Sequence, residues 1–244
     1  MAYTNFRGLV GAVKPGLNSG STQDLMGLLP DGVGLISVAL DLPEERGPGR
    51  LEAGRRGYEE KIGVLAKRKV DYVQTEGSAL FMMPGVKGER EMLAGWEKKY
   101  GIPVVSQGMS LRAAMKAMKF KKVIVVRPYT WKNGADFTGR YLQQAGFDIL
   151  TVASPEGYDV NTAYDIPPTA VYQCCKKALL AHPGADGLCI VAAVMRVGGI
   201  LQTIEDDLGI PVVSGLTVRA WEVQKRLHIR EPRTGFGRLL RDLP

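Results

Sequence analysis

Apolar and polar positions along the chain follow two rhythms that take turns. Short runs rich in Val, Ile and Leu occupy residues 8–13, 33–40, 72–75, 104–106, 123–127, 148–153, 187–191 and 212–214, and each reads as a strand. Between them, residues 54–68, 89–100, 111–118, 137–145, 169–180, 199–208 and 218–227 repeat apolar side chains at helical spacing and read as amphipathic helices. Runs such as Val123-Ile124-Val125-Val126 are unbroken, as parallel strands covered on both faces require. Strand and helix alternate over the whole length, which means an α/β fold.

The pattern also contains a repeat. Gly101-Ile102-Pro103-Val104-Val105-Ser106 returns 108 residues later as Gly209-Ile210-Pro211-Val212-Val213-Ser214. Each copy follows a helix and, before it, a strand opened by Asp71 or Asp186. Duplication predicts two pseudo-symmetric halves, each a four-stranded parallel sheet flanked by helices, with an active-site cleft between them at the strand carboxyl ends. The expected halves are residues 1–116 with 218–244, and residues 117–217. Six residues beyond Asp71 and Asp186 stand Gly77 and Ala192, in two equivalent strand-end loops.

Composition narrows the partners. Of 244 residues, 45% are apolar and 23% charged, which excludes a disordered chain. The net charge of +7 is spread over modest clusters at 50–56, 67–69 and 116–122 and an Arg-rich end. Acidic residues interrupt them and no aromatic–basic stripe forms. The surface therefore suits small anions and speaks against nucleic acid. No apolar run is long enough for a membrane span, and the first seven residues lack the apolar core of a secretory signal. Cys174, Cys175 and Cys189 have neither disulfide-framework nor zinc spacing. A cytoplasmic protein without metal or cofactor is expected. Neither a Gly-x-Gly-x-x-Gly after a strand nor a P-loop is present.

The duplicated plan, its Asp-led strands and several short motifs resemble the aspartate/glutamate racemase superfamily, in the branch of maleate isomerases and arylmalonate decarboxylases. Gly11-Ala12-Val13-Lys14-Pro15-Gly16-Leu17-Asn18 is similar to that branch's Gly-Leu-Ile-Val-Pro-Ser-Ser-Asn. Arg127-Pro128-Tyr129 and Ala145-Gly146-Phe147 are similar to its Thr-Pro-Tyr and Ala-Gly-Phe. Gly235-Phe236-Gly237-Arg238-Leu239-Leu240 is similar to its closing Gly-Tyr-Gly-Arg-Leu-Leu. The resemblance implies a cofactor-independent enzyme on a small carboxylate, with a homo-oligomeric assembly.

It also implies a site. Racemases of this superfamily carry a cysteine in each strand-end loop, maleate isomerases keep both, and arylmalonate decarboxylases have Gly first and cysteine second. Here the positions are Gly77 and Ala192, so both active-site cysteines are absent. An engineered cysteine-to-alanine change at Ala192 would give the same sequence. Cys189 lies within an apolar strand and reads as a structural thiol. The resemblance sets Asn18, Gly77, Ser78, Tyr129, Ala192 and Ala193 around a substrate carboxylate, where donors stabilise an enediolate. Asn18 also suits a turn, Ser78 a helix cap and Tyr129 core packing. Glu76 and Tyr129 are the candidate catalytic residues: a carboxyl in a partly apolar cleft can exchange a proton near neutrality, whereas His182 and His228 receive no role. Arg196 is a candidate partner for Glu76 or for a substrate carboxylate, and Glu76 could instead face solvent or pair with another Arg. Three functions stay open: a decarboxylase, a maleate-type isomerase or racemase, and a non-catalytic carboxylate-binding homologue.

Overall fold

The chain was analysed as a computed structural model that describes residues 5–16, 20–42, 48–130, 136–191 and 194–244. Strands β1 (Gly8–Lys14), β2 (Val33–Ala39), β3 (Tyr72–Thr75) and β4 (Val104–Ser106) form one parallel sheet in the order β2-β1-β3-β4. Strands β5 (Lys122–Val126), β6 (Asp148–Ala153), β7 (Gly187–Ile190) and β8 (Val212–Ser214) form a second in the order β6-β5-β7-β8. The helices are α1 (Gly20–Met26), α2 (Pro48–Lys67), α3 (Ser78–Met82), α4 (Gly85–Tyr100), α5 (Gln107–Ala117), α6 (Phe137–Gln144), α7 (Pro168–Ala181), α8 (Leu201–Leu208), α9 (Thr217–Arg226) and α10 (Arg238–Asp242). Two pseudo-symmetric α/β halves are therefore present, as the repeat predicts. Sequence periodicity passed over α1, α3 and α10, whose single or double turns are too short to show a 3.6-residue pattern.

The repeated hexapeptide is a structural unit. Gly101 and Gly209 end α4 and α8 in the left-handed region, at φ of 66° and 72°, where a residue with a Cβ is disfavoured. Val73 N–H donates to the Pro103 carbonyl at 2.9 Å, and Leu188 N–H to that of Pro211 at 3.0 Å. Glu97 accepts from Val104 N–H at 2.8 Å, and Glu205 from Val212 N–H at 2.7 Å. Both prolines stand beside edge strands, where a missing N–H donor costs no ladder bond. The strand-opening aspartates are structural as well: Asp71 accepts from Leu9 N–H at 2.7 Å, and Asp186 from the N–H groups of Lys121 and Lys122 at 2.9 and 3.1 Å.

One core cluster is shared between the halves. It joins Val10, Tyr72 and Val105 of the first sheet to Val123, Val125, Cys189 and Val213 of the second, through Leu111 of α5 and Trp221 of α9. The outer face of each sheet carries its own cluster, around Val13, Val73 and Trp96 and around Ile124, Val126 and Ile204. Both faces of both sheets are thus apolar, which explains the unbroken strands. Helix α9 leaves β8 and packs against α5.

Candidate functional site at the strand ends

Parallel strands deliver their carboxyl ends to one edge of each sheet, and the sequence-predicted residues follow those ends. Glu76 continues β3, with its N–H bonded to the Val13 carbonyl at 2.8 Å. Its side chain is buried and forms an ion pair with Arg219 of α9. Ser21 of α1 donates to the same carboxylate oxygen at 3.4 Å, and Arg219 Nε donates to Gln74 at 3.3 Å. The Tyr58 hydroxyl donates to the Glu76 carbonyl. Burial and the nearby carboxylate push the Tyr58 phenol well above its ordinary range. Tyr58 is therefore a neutral donor.

Glu76 thus pairs with another arginine, the alternative left open by the sequence, and not with the candidate Arg196. Arg196 binds Asp24 of α1 through two bonds, at 3.0 and 2.6 Å, on the exposed side of that helix. Gly20 makes room for it, since the guanidinium lies 3.1–3.2 Å from where a Cβ would stand. A half-exposed pair of this kind contributes about 0–1 kcal/mol. Glu76 turns instead toward α9, because residues 72, 74 and 76 share the strand face that α9 covers. A carboxylate bound to a buried guanidinium must break a charge-assisted bond before it can deliver a proton.

Gly77 has φ of 95°, and a Cβ there would lie 2.5 Å from the Tyr58 hydroxyl and 3.3 Å from the Pro15 ring. The position is doubly restricted, by backbone conformation and by its neighbour. Ser78 is half-buried and opens α3 just after the capping position, which Gly77 occupies without a side-chain bond. The helix-cap role open to Ser78 is not the one it takes. Tyr129 is half-buried, beyond β5, with its ring against the second-half cluster. Asn18, Ala192 and Ala193 lie outside the described residues.

Cys189 is fully buried within β7, and burial pushes its thiol up to about 12. Burial likewise raises Cys175 to about 12 and Cys174 to about 11. None is set to work as a thiolate near neutrality. Among the described residues, no group of three or more His, Cys, Asp or Glu could hold a metal ion. No helix among the described residues is long and apolar enough to cross a membrane. A groove of about 780 Å³ lies among α2, α3 and α4, lined by Leu51, Leu80, Met83, Met92 and Trp96. Its walls are helix and helix-linking side chains, and no strand-end residue faces it.

Two of the buried polar groups that the sequence reading passed over sit in ion-paired clusters. Arg219 sits in a helix buried on every side from Thr217 to Gln224. The available signal was an Arg flanked by Val218, Ala220 and Trp221. The second group is Glu89 of α4, which accepts from Ser106, from Tyr141 of α6 at 2.5 Å and from Arg112 of α5 at 2.7 Å. Burial raises its carboxyl, and those three partners only partly offset the rise. This cluster links the first half to the second.

With the geometry in place, comparison with known proteins gives consistent likenesses. Residues 56–240 match the family described as arylmalonate decarboxylase. A curated maleate isomerase of Nocardia farcinica is 29% identical over 139 residues, covering 57% of this chain and 54% of that protein. The match thus spans about half the length of that relative. A crystal structure of arylmalonate decarboxylase superposes with a TM-score of 0.79 at 18% identity, covering 96% of this chain and 99% of that one. The Nocardia farcinica maleate cis–trans isomerase, as a cysteine-to-serine variant with a covalently bound succinylcysteine intermediate, gives 0.83 at 22% identity, covering 96% and 98%. A cysteine-to-alanine variant of the maleate isomerase Iso from Pseudomonas putida S16, with maleate, gives 0.83 at 17% identity, covering 96% and 97%. At these identities the solved structures establish a shared fold.

Proposed function

We propose that this chain, which belongs to the arylmalonate decarboxylase family, decarboxylates a small malonate-type dicarboxylic acid in a pocket at the strand ends. The observation that carries the choice of reaction is the packing at Gly77. A two-thiol isomerase needs a side chain there, and the Tyr58 hydroxyl stands 2.5 Å from where its Cβ would be. Maleate and a succinyl group on the related isomerases support a carboxylate as the ligand.

In the proposed reaction the bond between the α-carbon and one carboxylate breaks, and carbon dioxide leaves. The electron pair passes into the remaining carboxylate as an enediolate. The hydroxyls of Tyr129 and Ser78 donate to its oxygens, and the resemblance adds Asn18 and the backbone around Ala192 and Ala193. A proton added to the α-carbon completes the monoacid. With Glu76 held by Arg219 and alanine at position 192, that proton comes from water. No cofactor takes part.

Carbon dioxide release from phenylmalonate, with binding followed in parallel by calorimetry, tests the proposal. Release above the uncatalysed rate supports it. Binding without release makes the chain a carboxylate-binding protein instead.

A further inference from the structure

We infer that Lys14 and Arg127 form a matched pair of anion-recognition residues that select a ligand with two negative charges. The inference rests on the strand-end pocket proposed above. Val13-Lys14-Pro15 and Val126-Arg127-Pro128 occupy the same place in the two halves. The Val13 carbonyl accepts from Glu76 N–H and the Val126 carbonyl from Val191 N–H, both at 2.8 Å. Each cation thus stands beside the residue that leads into a strand-end loop. This chain carries a cation at both positions.

Both side chains are enclosed: Lys14 is 7% exposed and Arg127 6%. By strand alternation they continue the faces of Val10 and of Val123 and Val125, which carry the core shared by the halves. Lys14 Nζ donates to the Thr22 hydroxyl at 3.3 Å. Arg127 reaches one oxygen of Asp136 at 3.5 Å, and that oxygen already accepts from Gly139 N–H at 2.9 Å to cap α6. Arg127 Nε is buried and has no partner among the described residues. Arg219, also buried, has Glu76 and Gln74 as direct partners. An enclosed guanidinium with an unused donor is costly unless a ligand completes it. Two enclosed cations related by the repeat, one of them with an unused donor at Arg127 Nε, suit a dicarboxylate that bridges the halves, with the charge-assisted bonds that carboxylates form best.

Calorimetry with phenylmalonate and maleate, each against a singly charged analogue (phenylacetate and crotonate), tests the pairing. The parent should bind each dianion at least about tenfold more tightly than its monoanion, and added salt should shrink that advantage. Arg127→Thr and Lys14→Val should each reduce the advantage about tenfold. Arg127→Lys and Lys14→Arg should keep most of it, which separates charge recognition from lost folding, and the salt series on the parent does so without any variant. An advantage unmoved by Arg127→Thr and Lys14→Val, with Tyr129→Phe still weakening both ligands, overturns the pairing and leaves the pocket in place. An advantage lost with the charges while Tyr129→Phe and Ser78→Ala have no effect supports the pairing and moves the pocket. A parent with no preference for dianions overturns the pairing outright.

Discussion

Arg219 closes an ion pair with Glu76 across 143 residues of sequence, inside the protein. The pair ties α9 to the strand end that opens the first site loop. Removing one partner strands the other's charge, which typically costs about 3–5 kcal/mol. Glu76→Gln and Arg219→Met should each lower stability by that order in urea unfolding. Their combination should cost clearly less than the sum of the two.

Gly77 is expected to be intolerant for two separable reasons. Gly77→Ala places a Cβ on a backbone with φ of 95° and against the Tyr58 hydroxyl. Each effect contributes, for a total of about 1–3 kcal/mol. Adding Tyr58→Phe removes the clash but not the backbone strain. The double variant should therefore recover part of the loss in thermal melts, and recovery of none would place the whole cost in the backbone.

Stability should depend on pH through Glu89. Its carboxyl is raised above the ordinary 4.5 by burial, against Ser106, Tyr141 and Arg112. A raised carboxyl holds its proton more tightly folded than unfolded. Its contribution is therefore full below 4.5 and is lost as pH climbs through the raised value. Glu205, also raised by burial, adds a slope of the same sign. Glu89→Gln should flatten the fall in Tm as pH rises above 4.5 and leave Tm at lower pH nearly unchanged. An equally steep fall in the variant would assign the slope elsewhere.

Restoring a thiol should help. Ala192→Cys puts an acid–base group where the family resemblance has one, and general acid–base catalysis is typically worth about 10²–10⁴-fold. Phenylmalonate turnover should rise within that range with little change in affinity. No rise, with binding intact, would mean that position 192 does not face the reacting carbon.

Much of this architecture was legible before the structure because local physics sets it. Residues 72–75, 104–106, 148–153 and 212–214 read as strands to the residue, since each is a short apolar run bounded by Gly, Pro, Asp or a helix. The repeat was legible for the same reason: helix-ending glycines and edge prolines are demands of the local backbone. The partner of Glu76 was not. Arg196 was the candidate through its closeness in sequence to Ala192, whereas the choice of Arg219 is made by packing of α9 across β3, which no local pattern encodes. The pairing of Lys14 with Arg127 emerged only once strand register matched residue 76 with residue 191.

The most direct test of the account follows phenylmalonate in deuterated water by NMR. Decarboxylation with protonation from solvent yields phenylacetate carrying one deuterium at its α-carbon, formed faster than without protein. Tyr129→Phe should slow that formation about 10²–10³-fold by removing a donor to the enediolate. Absence of labelled phenylacetate with the parent, or a rate unchanged by Tyr129→Phe, would contradict it.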